Sequence, residues 1–269
     1  DLWGPLIDPG NENFSQVWDR LFVGIKNTLL AAVLAIVSSL VVGTLLAVLR
    51  IQLKELNKRR FTGFAAPASY LLRGLSAFLS AITRMCIEVF RGLPVVITIF
   101  FVARGLPEFG VSMNTLWYLV IGLTVYNSVV IGEILRSGME GLPFGQREAA
   151  AAIGLSPLQT TLLILLPQAS RIMLPALISQ LVVVLKDTSL GFIISYEELL
   201  NVGKQIIGVL DNPIQVYAVI GVLFIAVNYS LSKLAQYIQR RLARGPKTRA
   251  LPTAMPPDTV VEAQGVATP

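Results

Sequence analysis

Four groups of residues in this chain carry side chains able to do chemistry. Lys186-Asp187-Thr188-Ser189 sets a cation, an anion and two hydroxyls side by side in an otherwise apolar stretch. Ionisable residues in such stretches mark ion or solute paths. An α-amino acid carries both charges, so Lys186 can meet a carboxylate and Asp187 an ammonium; alternatively the pair binds neighbouring protein groups and forms part of a gate. Asn127 and Ser128 lie midway through another apolar run. They suit either the wall of a path or a plain interhelical hydrogen bond. Glu133 and Arg136 close that run and are expected to hold structure. Arg84, Glu88 and Arg91 form a charged stripe, with Glu88 four residues after Arg84 and so placed to pair with it.

Several chemistries are excluded. There is no histidine, which removes imidazole general bases and His-containing metal sites. The one cysteine, Cys86, allows no disulfide within the chain and reads as a small packing residue. No phosphate-binding Gly-x-x-x-x-Gly-Lys-Ser/Thr loop exists; Gly203-Lys204 is followed by Gln205. The chain therefore does not bind ATP by that route. His-Glu-x-x-His and Gly-x-Ser-x-Gly are also missing. The net charge is +6, yet the basic residues adjoin apolar segments without interleaved aromatics. That is the pattern of topology signals, not of a nucleic-acid surface.

The elements that must position these groups are membrane spans. Hydrophobic residues make up 54% and charged residues 14% of the 269, and mean hydropathy is +0.68. A soluble domain runs near 25% charged, so lipid is the solvent. Asn27–Leu49 holds no charge and ends at Arg50, followed by Lys54, Lys58, Arg59 and Arg60. This basic cluster is placed in the cytoplasm. A second span is expected from about Ala77 to Ala103, entered through an amphipathic stretch and interrupted at Gly92-Leu93-Pro94. Its apolar face (Leu71, Leu75, Phe78, Leu79, Ile82, Met85, Val89) recurs at helical spacing, and Arg73, Ser80, Arg84 and Arg91 fall within about 20° of a common direction on a different face. Met113–Gly132 is a third span, 172–194 a fourth that breaks towards its far end, and Val216–Leu231 the body of a fifth. Five crossings put residues 1–26 outside and the C-terminus in the cytoplasm. The permease domain is expected over 27–245, with a cytoplasmic loop at 137–167 and a disordered tail at 246–269. No removable signal peptide is expected.

The loop contains a further candidate segment. Gln146 to Ile153 includes four consecutive alanines, the best helix former, with Glu148 in the first turn where the helix dipole favours it. Gly154 suits a C-terminal cap, Ser156 an N-cap, and Pro157 the first position of the next helix. Pro167 marks a kink. Such a small-sided helix suits docking into a groove of another protein; an ordinary helical hairpin between spans is the alternative.

Glu148-Ala149-Ala150, three residues, Gly154, nine residues, then Ile164-x-Leu166-Pro167 resembles the cytoplasmic signature of permease subunits of binding-protein-dependent ATP-binding-cassette importers. Phe90-Arg91-Gly92-Leu93-Pro94, Glu133-Ile134-Leu135-Arg136-Ser137-Gly138 with Gly145-Gln146, Leu166-Pro167-Gln168-Ala169 and Leu185-Lys186-Asp187-Thr188-Ser189-Leu190 are similar to stretches of the five-span polar amino acid branch. The likeness runs over roughly residues 20–242 and is greatest to actinobacterial glutamate-uptake permeases. Two departures stand out: Leu93 replaces a small residue, and Val129-Val130-Ile131 stands where the branch often has Ala-Tyr.

The resemblance implies an all-α membrane protein of type I importer architecture that is not itself an enzyme. It implies coupling to a separate ATPase through Gly145, Glu148, Ala149, Ala150, Gly154 and Pro167. The substrate path then takes in Asn127, Ser128, Lys186, Asp187, Thr188 and Ser189. Implied partners are a second permease subunit (homologous or identical), two ATPase subunits carrying ATP and Mg, and an extracytoplasmic substrate-binding protein. No cofactor belongs to the chain itself. Arg84, Glu88 and Arg91 become candidates for pairing with the second permease, and Arg91 alternatively lies near the path. A channel or secondary transporter for a small polar solute is the rival class, and it needs no docking helix.

Overall fold

The computed structural model describes residues 2–58 and 66–243, and every regular element among them is helical. The expected tail at 246–269 lies outside the described residues. In chain order the helices are α1 (Gly4–Ile7), α2 (Phe14–Lys58), α3 (Ala66–Gly92), α4 (Val95–Glu108), α5 (Thr115–Glu140), α6 (Gly145–Ala152), α7 (Pro157–Gln159), α8 (Leu166–Ile172), α9 (Leu174–Asp187), α10 (Leu199–Leu210) and α11 (Pro213–Ala243). A π-helix, Thr160–Leu165, joins α7 to α8, and a 3-10 helix, Thr188–Ile194, continues α9.

Among the described residues four stretches are long and apolar enough to cross a bilayer: Phe14–Asn57, Thr115–Glu140, Leu174–Ile194 and Pro213–Arg241. A fifth crossing is available only as the bent pair of α3 and α4. The first span was expected at Asn27–Leu49, but its helix runs 45 residues. Charge marks where lipid ends, whereas packing marks where the helix ends. Val17 and Leu21, outside the uncharged run, are buried against Leu199, Val202, Val216 and Ile220.

The second span departs most from expectation. In place of one interrupted helix over Ala77–Ala103, α3 and α4 meet at 108°. A residue before proline is pushed out of the helical region, and Pro94 itself is extended, with ψ 137°. The 14 residues of α4 cover about 21 Å, short of a hydrocarbon core of about 30 Å. The apolar face of α3 points away from the rest of the chain, with Leu71, Phe78 and Met85 exposed. Ser76 and Ile87 turn inward instead.

The centre of the fold is the contact of α2 with α5. A Cβ on Gly43 would lie 2.8 Å from both Ile131 Cγ2 and the Ser128 carbonyl, so only glycine permits this approach. Ser38 Oγ and Thr124 Oγ1 are 2.6 Å apart. Further along, Lys54 Nζ donates to Glu140 Oε1 at 2.8 Å. Contact positions on the two helices rise together, so α2 and α5 run parallel. The intervening α3–α4 pair must therefore return the chain across the membrane.

Candidate functional site

The segment from α6 to α8 is ordered by local chemistry. Gly154 takes φ +81°, the left-handed conformation glycine tolerates. Leu155 N–H donates to the Ala150 carbonyl and Gly154 N–H to that of Ala151, both at 3.0 Å. This is the paired C-terminal cap expected of a glycine stop. Ser156 and Gln159 form a reciprocal capping box with Pro157 at the first helical position. The π-helix falls just before Pro167, where the widened turn accommodates a residue without an N–H.

One face of α6 is tied down and the other is free. Arg147 donates from Nη1 to Glu55 Oε1 at 3.3 Å and from Nη2 to the Met139 carbonyl at 3.4 Å. Gln168 Nε2 donates to Gln146 Oε1 at 2.8 Å, and Gln52 Nε2 to Thr161 Oγ1 at 2.9 Å. Ala150 is buried among the chain's own residues. Gly145, Glu148, Ala149, Gly154 and Pro167 are exposed. Phe144, Ile153 and Leu163 are large apolar side chains that also face outward. Gln52, Glu55 and Arg147 are the anchors that sequence reasoning missed. Only Arg147, within the motif, carried a signal in its position.

Above this segment, Glu133 and Arg136 join a cross-helix ion network. Glu133 pairs with Arg50 of α2 and, at 2.9 Å, with Arg136. Arg136 also reaches Glu140 at 2.6 Å, and Glu140 meets Lys54. Arg84 and Glu88 are exposed and 3.9 Å apart, and Arg91 is exposed.

In the middle of the fold, Asn127 and Ser128 are both buried. Asn127 donates to the Leu123 carbonyl at 2.9 Å, and its Oδ1 accepts from Gln180 Nε2 at 2.7 Å, joining α5 to α9. Gln180 is a partner the sequence reading left out. Ser128 Oγ turns back to the Val125 carbonyl. Further along α9, Lys186 and Asp187 are separated by their surroundings. Lys186 and Ser189 line a cavity of about 570 Å³ with Tyr217, Phe224 and Asn228 of α11. Asp187 turns inward, and its Oδ2 is buried without a hydrogen-bond partner among the described residues. Thr188 is buried and bonds the Leu185 carbonyl at 2.7 Å.

At the end opposite α6, Glu198 is fully buried. Its two carboxylate oxygens accept from Leu200 and Asn201 N–H at 2.7 Å each, capping α10. Burial pushes its carboxyl up to about 7, against the lowering by those two N–H groups and the charge of Lys204. Burial, and then the charge of Glu198, also raise the Tyr196 hydroxyl. Tyr196 Oη donates to the Asn27 carbonyl at 3.0 Å, and Leu199 N–H to Thr28 Oγ1 at 3.1 Å.

Residues 62–244 match the family described as binding-protein-dependent transport system inner membrane component. The chain is 38% identical over 266 residues to the glutamate transport system permease protein GluD of Corynebacterium glutamicum, covering 97% of this chain and 87% of that one. It is 36% identical over 166 residues to the probable glutamine ABC transporter permease protein GlnP of Bacillus subtilis, covering 61% and 76%. Among solved structures, an amino acid ABC transporter chain superposes with a TM-score of 0.65 at 22% identity, covering 85% of this chain and 96% of that one.

Proposed function

The chain belongs to the inner membrane components of binding-protein-dependent transport systems, and from that membership we propose that it forms half of the translocation path of a glutamate importer. It is a multi-pass permease of the amino-acid ABC transporter class with the type I importer fold, a transport component and not an enzyme. Glutamate is the finer reading, and the observation that carries it is 38% identity across 97% of the chain to a glutamate permease.

In this proposal the exposed face of α6, with Glu148 and Ala149, docks on a separate ATPase that binds ATP and Mg. Ala150 and Arg147 hold the helix on the permease. Pro167 and the π-helix carry its movement to α8 and the spans. Two such ATPases, a second permease subunit and an extracytoplasmic binding protein complete the assembly. The α6 end and the basic residues around Lys54 face the cytoplasm, and the N-terminus faces outside. Lys186 and Ser189 line the path; Asn127, Ser128 and Thr188 shape its protein wall, and Asp187 forms part of its gate.

Uptake of labelled glutamate by cells carrying the complete system tests both levels. Glu148→Lys reverses the charge offered to the ATPase and opposes the α6 dipole. It is expected to reduce uptake more than tenfold while the permease still inserts. Parental uptake by this variant would remove α6 from coupling. Glutamine competing better than glutamate would overturn the substrate assignment and leave the permease assignment intact.

A further inference from the structure

Two cavities bounded by α2, α3 and α5 meet at Thr83, which lines both. The first, of about 430 Å³, is lined by Arg50, Lys54, Arg84 and Arg136 with Glu140 as its one carboxylate. Asn57 and Ser80, bonded to each other at 2.8 Å, complete its wall. The second, of about 600 Å³, is almost wholly apolar, with Val42, Leu46, Leu49, Ile82, Ile87 and Val129 among its residues. A cationic pocket thus opens directly onto an apolar groove. We propose that this composite site binds one anionic phospholipid, its phosphate among Arg50, Lys54, Arg84 and Arg136 and one acyl chain in the groove.

Along α2 the dimensions match the depth of one leaflet. On α2 the groove runs from Ser38 to Leu49, and the charged pocket begins at the next residue, Arg50. Eleven residues of helix rise about 16 Å, and half of a hydrocarbon core is about 15 Å. Ser38 is also the midpoint of the uncharged run Asn27–Leu49. The groove therefore spans the half of the membrane from its centre to the boundary where the basic residues stand, continues along α5 to Trp117, seven residues before the Thr124 that faces Ser38, and places the phosphate at headgroup depth.

Charge decides between occupants. Among the described residues, four cations face one lining carboxylate, and counting Glu133, which pairs with Arg50 and Arg136, and Glu88, 3.9 Å from Arg84, still leaves an excess of one positive charge. A basic pocket between membrane helices at the headgroup level recruits anionic lipid. A hydrophobic helix from another subunit would fill the groove but leave that excess charge unanswered.

Native mass spectrometry of the assembled transporter tests the proposal, after delipidation and addition of phosphatidylglycerol or phosphatidylcholine. Phosphatidylglycerol is expected to be retained and phosphatidylcholine lost. Lys54→Gln and Arg84→Gln should each weaken retention about fivefold, and Lys54→Arg should restore it. Co-purification of the other subunits confirms that the variants assemble. Cys86, exposed and lining the apolar groove, gives the second readout. A thiol-reactive photocrosslinker there should attach to phospholipid. Equal retention of the two lipids, retention unchanged in both glutamine variants, or crosslinking to a neighbouring subunit in place of lipid would overturn the proposal.

Discussion

The two ends of this molecule are built on opposite plans. At one end, α6 and α7 are held by caps and by hydrogen bonds on one side, while Phe144, Ile153 and Leu163 face outward. At the other end, α1, α2, α10 and α11 close on one another around Leu6, Leu21, Leu199 and Val216. Glu198 and Thr28 are buried there together with their hydrogen bonds, and the buried Asn212 donates from Nδ2 to the Leu2 carbonyl. Large apolar side chains left outside on a locally rigid element mark a surface completed by another protein. Val209, Ile214 and Ile7 are exposed at the closed end too, and what sets it apart is a core whose buried polar groups are bonded within their own chain.

The largest expected effect concerns sidedness and is all or none. In a Cys86→Ser background, an impermeant thiol reagent on intact cells should label Val209→Cys, at the closed end, and leave Ile153→Cys unlabelled. Both positions are highly exposed, at 83% and 75%. Labelling of both, or of Ile153→Cys alone, would break the assignment of the open end to the cytoplasm.

Next in size is a steric test. A Cβ on Gly24 would sit 2.9 Å from Leu199 Cα and 3.3 Å from its backbone N, atoms that cannot swing aside. Gly24→Val should cost about 3 kcal/mol, read as a shift of the denaturation midpoint of the purified protein. An unchanged midpoint would mean that the closed end is looser than its packing implies.

A smaller loss is expected from Glu198→Ala, about 1–2 kcal/mol for a lost N-cap. The same residue makes a pH prediction. A carboxyl titrating near 7 in the fold and near 4.3 when free favours its neutral form in the fold. Stability from this source is complete below about pH 4 and is lost as pH rises through 7. Thermal midpoints should therefore fall across that range in the parent, and Glu198→Gln should flatten the profile. A parent without this decline would show that the two capping N–H groups outweigh burial.

The smallest effect belongs to the open end. A Cβ on Gly154 meets nothing within 4 Å, so a side chain there makes no clash. Only the positive φ penalises a side chain. Gly154→Ala should cost about 1 kcal/mol, confined to α6 and visible as faster amide exchange in Ala149–Ile153. A loss as large as that of Gly24→Val would erase the contrast between the two ends.

Sequence alone determined what depends on neighbours in the chain or on the solvent. Asn27–Leu49 announces a span because lipid admits no charge, and its helix then outruns that stretch at both ends because only packing decides where a helix stops. Gly154, Ser156 and Pro157 announce their caps because capping is settled within one turn. The signature from Glu148 to Pro167 was legible through its resemblance to importer permeases; its caps are local, whereas Arg147–Glu55 and Gln52–Thr161 tie it to α2. Tertiary structure alone decided which side of each helix has a partner. The Asn127–Gln180 bond joins residues 53 positions apart. The ion network joins Arg50 and Lys54 to Glu133, Arg136 and Glu140. The outward turn of α3's apolar face needs α2 and α5 already in place. Glu198 reads in the sequence as one more carboxylate in a polar stretch; burial beneath α2, which no local pattern encodes, is what shifts its titration.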